Sequence, residues 1–569
     1  MMDRDAVVTP REVEVLIAKG GTIVIFDELV LNLGGWLKKH PGGRLAILHM
    51  VGKDATDEIK AYHSYDTIAS MGAFRIGRKP AGPWPNMTPP IRGGIYHDNP
   101  DAEPSDAGSE TSLDRDSDAA TDIDDRDSQL ASSISSECSS LAGLPGPGAS
   151  ELRKRLQGSS SPDKSAASDF VRRLSPAEYT EWAMQQNIEQ DEREYPTLEP
   201  AKQQFITGKY RELHQKVHDM GYYKCPPTAY AKECVRYAAL FTTFILLLRS
   251  EYYLLSAVFL GLFWHQIMFT AHDAGHCAIT HIYTVDTLIA IFIADFCCGL
   301  SMGWWKSSHN VHHLITNHPE HDPDIQNLPL FATCPSFFKS LRSTYYDFTF
   351  VWDKAAEILV PYQKYTYYPI MGIARFNLYM LSWLHVFSSK SSTLGSTTAW
   401  WIRPTEIVFM TCYWILFGYC LVWRSLPNWT IRVAFTLICH MFLMPLHVQI
   451  TLSHWGMSTS DIGEQESFAQ RQLRTTMDVD CPRWMDFFHG GLQFQAIHHL
   501  FPRVPRHNLR KVQVLVKQFC EETAIPYSIL TFYDGNQKVL NRLDEVGQQV
   551  SMLVNCQKYL VETGQTEGH

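Results

Sequence analysis

Long apolar segments set the first limit on what this chain can fold into. Cys234 to Leu248 and Tyr252 to Thr270 are separated only by Arg249, Ser250 and Glu251, the pattern of a helical hairpin through a bilayer. The first is short, and extending it back to Tyr230 brings it near the roughly 20 residues that about 30 Å of hydrocarbon requires. Thr405 to Trp423 and Thr430 to about Leu452 are two more spans of suitable length. Val285 to Trp305 and Tyr367 to Phe387 are apolar too, but Asp295, Arg375 and several glycines interrupt them, so re-entrant or interfacial placement is expected. Four spans are expected, with six as the alternative. Lys and Arg gather on the cytoplasmic side of membrane proteins. Lys306, Lys339, Arg342, Lys354, Lys364 and Arg403 follow the second span, and Arg471, Arg474, Arg483, Arg503, Arg506 and Arg510 follow the fourth. Both regions are therefore expected in the cytosol, on the side of the N-terminus.

Histidines concentrate in those same regions or at the span ends that enter them. HDAGH holds His272 and His276, HNVHH holds His309, His312 and His313, QAIHH holds His498 and His499, and His454 lies at the end of the fourth span. Spacings of i, i+3 and i+4 bring imidazoles onto one helix face, where neutral rings can converge on a metal. An HExxH zinc site is a poor fit, because position 273 is Asp. A carboxylate-rich di-iron site is also disfavoured, since no Glu-x-x-His pair stands near the clusters. Eight histidines suit a pair of metal ions held mostly by imidazole. His281, His318, His321, His440 and His447 fall outside the pattern and read as structural.

The net charge is −10, and much of the acidity lies between Asp98 and Asp169 in a stretch rich in Asp, Ser and Gly and nearly free of aromatics. Such a stretch cannot bury enough apolar surface to offset chain entropy and reads as a disordered linker over residues 98–169. Thirteen cysteines are scattered without a CxxC pair, several inside apolar runs, so neither a disulfide framework nor a thiolate zinc site is indicated. The N-terminus lacks a basic segment followed by an apolar core, so no cleaved secretory signal is expected. No nucleic-acid partner is expected.

Residues 5–80 read as a small separate domain, with a turn or helix at Pro10 to Lys19 and a strand at Thr22 to Phe26. The run His40-Pro41-Gly42-Gly43 resembles the haem-binding signature of cytochrome b5: the turn aims the imidazole of His40 into an apolar cleft, and glycine permits close approach of the porphyrin. GKDATDEI follows, and His63 in AYHSY fits the second axial ligand; His49 is too close and reads as a surface residue. Phe74, Ile76 and Gly77 resemble that family's closing segment. The resemblance implies haem b held by His40 and His63, and bis-histidine ligation leaves iron no open position, which suits electron transfer.

HDAGH, HNVHH and QAIHH, with the apolar hairpins between them, resemble the three histidine boxes of the membrane fatty-acyl desaturases over roughly residues 230 to 530. Gln495 in place of the third box's first histidine, together with an N-terminal cytochrome b5 domain, resembles the front-end desaturases. The residues after HD look closest to the delta-8 sphingolipid long-chain-base desaturases of fungi and plants, since acyl-lipid members more often carry a bulkier residue there. The resemblance implies a multi-domain protein: a small α+β haem domain, the linker, amphipathic pre-membrane helices over 170–229, an all-α integral membrane desaturase domain over 230–530 with about four transmembrane helices and a cytosolic helical cap, and a tail over 531–569. It implies two iron ions held by His272, His276, His309, His312, His313, His454, His498 and His499, with Gln495 acting through its amide or a water. It implies O2 as co-substrate, electrons from NADH through a separate cytochrome b5 reductase, a ceramide or other sphingolipid substrate, and an endoplasmic reticulum membrane. Two alternatives remain, a front-end acyl-lipid desaturase of the delta-5 or delta-6 type and a sphingolipid fatty-acid hydroxylase. His40→Ala should remove the haem absorption and abolish product; full activity in that variant would mean that another electron donor suffices.

Overall fold

The computed structural model describes residues 4–98, 174–388 and 399–562. Apart from Asp98, the expected acidic linker lies outside them. The N-terminal lobe begins with a helix over Pro10–Ala18, started by a capping box in which Thr9 and Glu12 satisfy each other's backbone amides. Three short antiparallel strands follow in the order β1 (Ile23–Phe26), β2 (Leu29–Asn32), β3 (Arg75–Arg78), with Ile23 opposite Asn32 and Leu29 opposite Arg78. The β1–β2 turn places Asp27 at φ 49°, a left-handed conformation that Asp tolerates better than most residues. Short helices Arg44–Leu48, Thr56–Tyr62 and Tyr65–Ser70 wall a cleft beside this sheet.

The body is helical. Among the described residues three helices are long and apolar enough to cross a membrane: Tyr253–Gly275, Ile402–Ser425 and Trp429–Trp455. These match the second, third and fourth expected spans. The first expected span is corrected: the Pro227–Arg249 helix packs alongside Tyr253–Gly275, but Lys232, Glu233 and Arg236 occupy its early turns and it falls short of an apolar span. Val285 to Trp305 is sharply broken, as helices Tyr283–Cys297 and Met302–Leu314 meet at a bend of 116°, the geometry of a broken span or of a re-entrant loop. Polar groups hold that bend. Ser301 caps the second helix by accepting from the Trp304 amide, Asp295 accepts from Met302 N at 3.1 Å, and Glu406 accepts from Ser301 Oγ at 2.8 Å and from Gly303 N at 2.7 Å. Tyr367 to Phe387 is part of one continuous helix over Gln363–Phe387, without a re-entrant break. Arg375, read as an interruption, is buried there because it donates to the Cys298 carbonyl at 2.6 Å and the Tyr379 hydroxyl at 2.7 Å and covers the Trp264 ring.

A helical cap covers one end of the body. In the Pro200–Asp219 helix, Ile206, Tyr210, Leu213 and Val217 recur at helical spacing and bury against Phe468, Leu473, Phe501, Val512 and Phe519. The stretch read as a C-terminal tail is instead a long helix over Phe532–Glu562. It buries Val539, Leu543, Val546 and Val550 and packs on Gln363–Phe387.

The N-terminal lobe docks on this body. Glu464 accepts from Lys53 at 2.9 Å and Arg92 at 3.0 Å, Asp461 from Arg92 at 3.0 Å, and Asp57 from Arg211 at 2.7 Å. Ile315 of the body inserts among Val24, Ile47, Met50 and Ala55 of the lobe. His49, expected on the surface, is fully buried because the body covers that face, where its ring lies 5.2 Å from that of His321. Removing one partner of such a little-exposed ionic group leaves the other charges uncompensated. Glu464→Gln should weaken docking by about 2 kcal/mol, speeding hydrogen exchange roughly thirtyfold at the amides of Asp54 and Met87, which are bonded beside this contact. Unchanged exchange would show that the ion pairs do not hold the lobe.

Candidate metal centre and haem cleft

Four chain segments deliver the clustered histidines to one place. His272 and His276 sit at the C-terminal end of Tyr253–Gly275, His309, His312 and His313 on Met302–Leu314, His454 near the end of Met444–Trp455, and His498 and His499 on Gln495–Leu500. Gly275 explains how the first two helices come so close: a Cβ there would meet Trp305 Cζ3 at 2.3 Å and Met302 Cε at 2.4 Å. Trp305 in turn stacks on His309 at 4.3 Å.

The rings sort into two groups. Ligand atoms of His272, His276, His309 and His498 lie within 4.8 Å of one another, and so do those of His312, His454 and His499. His313 stands between the groups, stacked on His499 at 4.0 Å and 4.8 Å from the rings of both His276 and His498. The Nε2 atoms of His272, His276, His498 and His499 and Nδ1 of His313 are buried with no hydrogen-bond partner. Orphaned ring nitrogens are costly unless something binds them, and here they converge. Burial, reinforced by the neighbouring imidazoles, holds His498 and His499 well below the usual histidine range, in the neutral form that ligates metals. The donor set fits two metal ions. Gln495 is buried on the same helical face as His498 and His499.

Three further residues were not picked out by the sequence reasoning. His312 Nδ1 donates to Asp322 Oδ2 at 2.7 Å, and His499 Nδ1 donates to Gln472 Oε1 at 2.9 Å, so each ring turns Nε2 toward the cluster. Asp322 is itself held by the Asn317 amide at 2.7 Å. Asp324 completes a possible third group with His312 and Asp322. The signal available was the run HPEHDPD just after the second cluster, whose carboxylates do not form a Glu-x-x-His pair. His281, His440 and His447 bond instead to the carbonyls of Tyr223, Thr436 and Met371.

Arg506 ties the first cluster to the third. It lies buried at the start of the Arg506–Thr523 helix, just after His498 and His499, and donates to Asp273 Oδ2 at 2.5 Å, to the Phe269 carbonyl at 2.9 Å and to Glu233. Asp273, the second letter of HDAGH, is therefore a bolt between helices and stands outside the ligand groups.

The lobe's cleft opens on this centre. His40 Nδ1 donates to the Gly43 carbonyl at 2.9 Å and His63 Nδ1 to the Ile59 carbonyl at 3.0 Å, which leaves each Nε2 lone pair for a metal. The ring centroids are 5.9 Å apart, room for one ion with a nitrogen about 2 Å away on either side. Burial, then the charge of His40, pushes His63 down to about 4, again favouring the neutral ligand. Gly42 has no room for a side chain, because a Cβ would meet His40 Cε1 at 2.8 Å. Leu31, Leu33, Trp36, Ile47, Ile59 and Phe74 line a cavity of 680 Å³ suited to an apolar macrocycle. Gly275, His276, Lys306, Asn310 and Arg503 of the body line the same cavity. Tyr62, next to His63, has its ring centroid 6.0 Å from that of His313, the two rings nearly perpendicular.

Residues 251–531 match the model of the fatty acid desaturase family, and residues 9–79 match the cytochrome b5-like heme/steroid binding domain. A delta 8-(E)-sphingolipid desaturase of Emericella nidulans is 46% identical over 100% of this chain and 99% of its own length. Another of the same name from Komagataella phaffii is 44% identical over 97% of this chain and 95% of its own. A delta(8)-fatty-acid desaturase of Helianthus annuus is 37% identical over 53% of this chain and 64% of its own.

Loss of a partner that orients a ligating imidazole typically costs 10–100-fold in metal affinity. Asp322→Asn should therefore lose iron to a graded chelator at roughly tenfold or more lower concentration, read by elemental analysis, with haem absorption unchanged. Equal chelator resistance would deny Asp322 that role.

Proposed function

The chain belongs to the fatty acid desaturase family, in a form that carries a cytochrome b5-like domain ahead of its membrane body, and from this we propose that it desaturates the long-chain base of a sphingolipid at the delta-8 position with trans geometry. The observation that carries the reading is likeness along the whole chain to proteins named for that reaction, on a fold whose histidines gather into two converging groups.

The substrate's methylene hydrogens are neither acidic nor beside a leaving group, so acid–base residues alone have no purchase. Two irons, when bound, supply oxygen activation, in the balance of two hydrogens from adjacent methylenes, two electrons, two protons and one O2 giving an alkene and two waters. His272, His276, His309 and His498 hold one ion, His312, His454 and His499 the other, and His313 lies within reach of both. Gln495 serves the neighbouring position through its amide oxygen or a water. Asp322 and Gln472 keep the rings of His312 and His499 in the ligating tautomer.

His40 and His63 would hold haem b, which would leave the lobe to pass single electrons. A separate cytochrome b5 reductase, drawing on NADH, supplies them. The Lys and Arg of the cap favour a cytosolic placement for the lobe and the metal centre, in the endoplasmic reticulum membrane. Expression in a yeast lacking this activity, followed by mass spectrometry of long-chain bases, should show a product two mass units lighter, with cleavage at the double bond placing it at carbon eight. A gain of sixteen mass units would overturn desaturation in favour of hydroxylation. His312→Ala should keep the haem spectrum and lose the product, and retained product would remove His312 from the ligand set.

A further inference from the structure

The cavity between His40 and His63 is walled by two parts of the chain, and the charge on its wall is unevenly shared. The lobe contributes apolar side chains, the two imidazoles, Tyr62, Ser64, Thr67, Ser70 and the acid Glu58, but no lysine or arginine. Both cations on the wall, Lys306 and Arg503, come from the desaturase body. Lys306 stands one turn before His309 with its ammonium 5.0 Å over the Tyr283 ring. Arg503 lies between the helices Gln495–Leu500 and Arg506–Thr523, with Nη2 3.4 Å from His281 Nδ1. Both are half-buried, and neither is ion-paired among the described residues. Three other arginines contrast with them. Arg506 is paired with Glu233 and Asp273, Arg474 with Glu466 and Asp191, and Arg92 with Glu464 and Asp461. A partly desolvated cation without a counter-ion is unfavourable, and two on one cavity wall mark a place for an anion.

Haem b carries two carboxylates on one edge. We propose that Lys306 and Arg503 bind those carboxylates, so that the haem site is composite: the lobe ligates the iron and the desaturase body binds the anionic edge. The inference rests on the haem reading of His40 and His63. By linkage, whatever strengthens haem binding through the body also strengthens docking of the loaded lobe beside the metal centre, so the lobe docks more tightly with haem than without.

The test uses the full-length protein in detergent and follows release of haem to excess apomyoglobin, for haem b and for its dimethyl ester, which lacks the two charges. For the double variant Lys306→Gln with Arg503→Gln, haem b should leave roughly 100-fold faster, about tenfold for each charge-assisted hydrogen bond lost. Lys306→Arg with Arg503→Lys should restore slow release. The ester should leave wild type quickly, and the double variant no faster than wild type. Release of haem b within twofold of wild type from the double variant would overturn the inference. Equal acceleration of the ester by the double variant, the result expected of general unfolding, would also overturn it. A wild-type protein without a haem absorption band, or one whose band survives His40→Ala, would instead overturn the haem reading beneath it.

Discussion

Arg506 is a fully engaged charge in the interior, and the metal centre depends on how it is satisfied. A buried guanidinium must find acceptors or the fold loses several kcal/mol. It finds them on Tyr253–Gly275, which carries the first histidine pair, and on Pro227–Arg249, while its own helix follows directly on the third cluster. One charge thus sets the separation of two helices whose imidazoles share a ligand group. Gly275 sets the approach of the second cluster's helix in the complementary way, by having no side chain where Trp305 and Met302 pack.

The same logic governs the fit between lobe and body. Lys53, Arg92 and Arg211 face carboxylates across the boundary, and the apolar contact around Ile315 removes water from between them. The cleft of the lobe is thereby turned toward the histidines, with the Tyr62 ring beside that of His313. A tether alone raises the effective concentration of an electron donor. Docking adds orientation, because His40 and His63 of the lobe and His276 of the body line one cavity.

Much of this was legible in the residues because it is local. The HPGG turn and the i, i+3 and i+4 spacing of the histidines are properties of short windows, and each appears where it was expected. Features that depend on distant partners were not legible. His49 read as a surface residue because nothing nearby in sequence covers it, yet the body buries it against His321. The Pro227–Arg249 helix read as a span because its apolar half is long, yet Glu233 serves Arg506. The residues after Phe532 read as a tail because their stripe of Val539, Leu543, Val546 and Val550 has no partner until the body is folded.

The sequence by itself determined the ligand chemistry and its local geometry: which imidazoles share a helix face, where the haem turn lies, and which segments prefer hydrocarbon. These follow from backbone periodicity and side-chain polarity within one or two turns. Tertiary structure alone decided the division of eight histidines into two groups, the orienting roles of Asp322 and Gln472, and the pairing of a cleft from one end of the chain with Lys306 and Arg503 from the other. Each of those joins residues far apart in the chain through packing and buried charge, which no short window of sequence records.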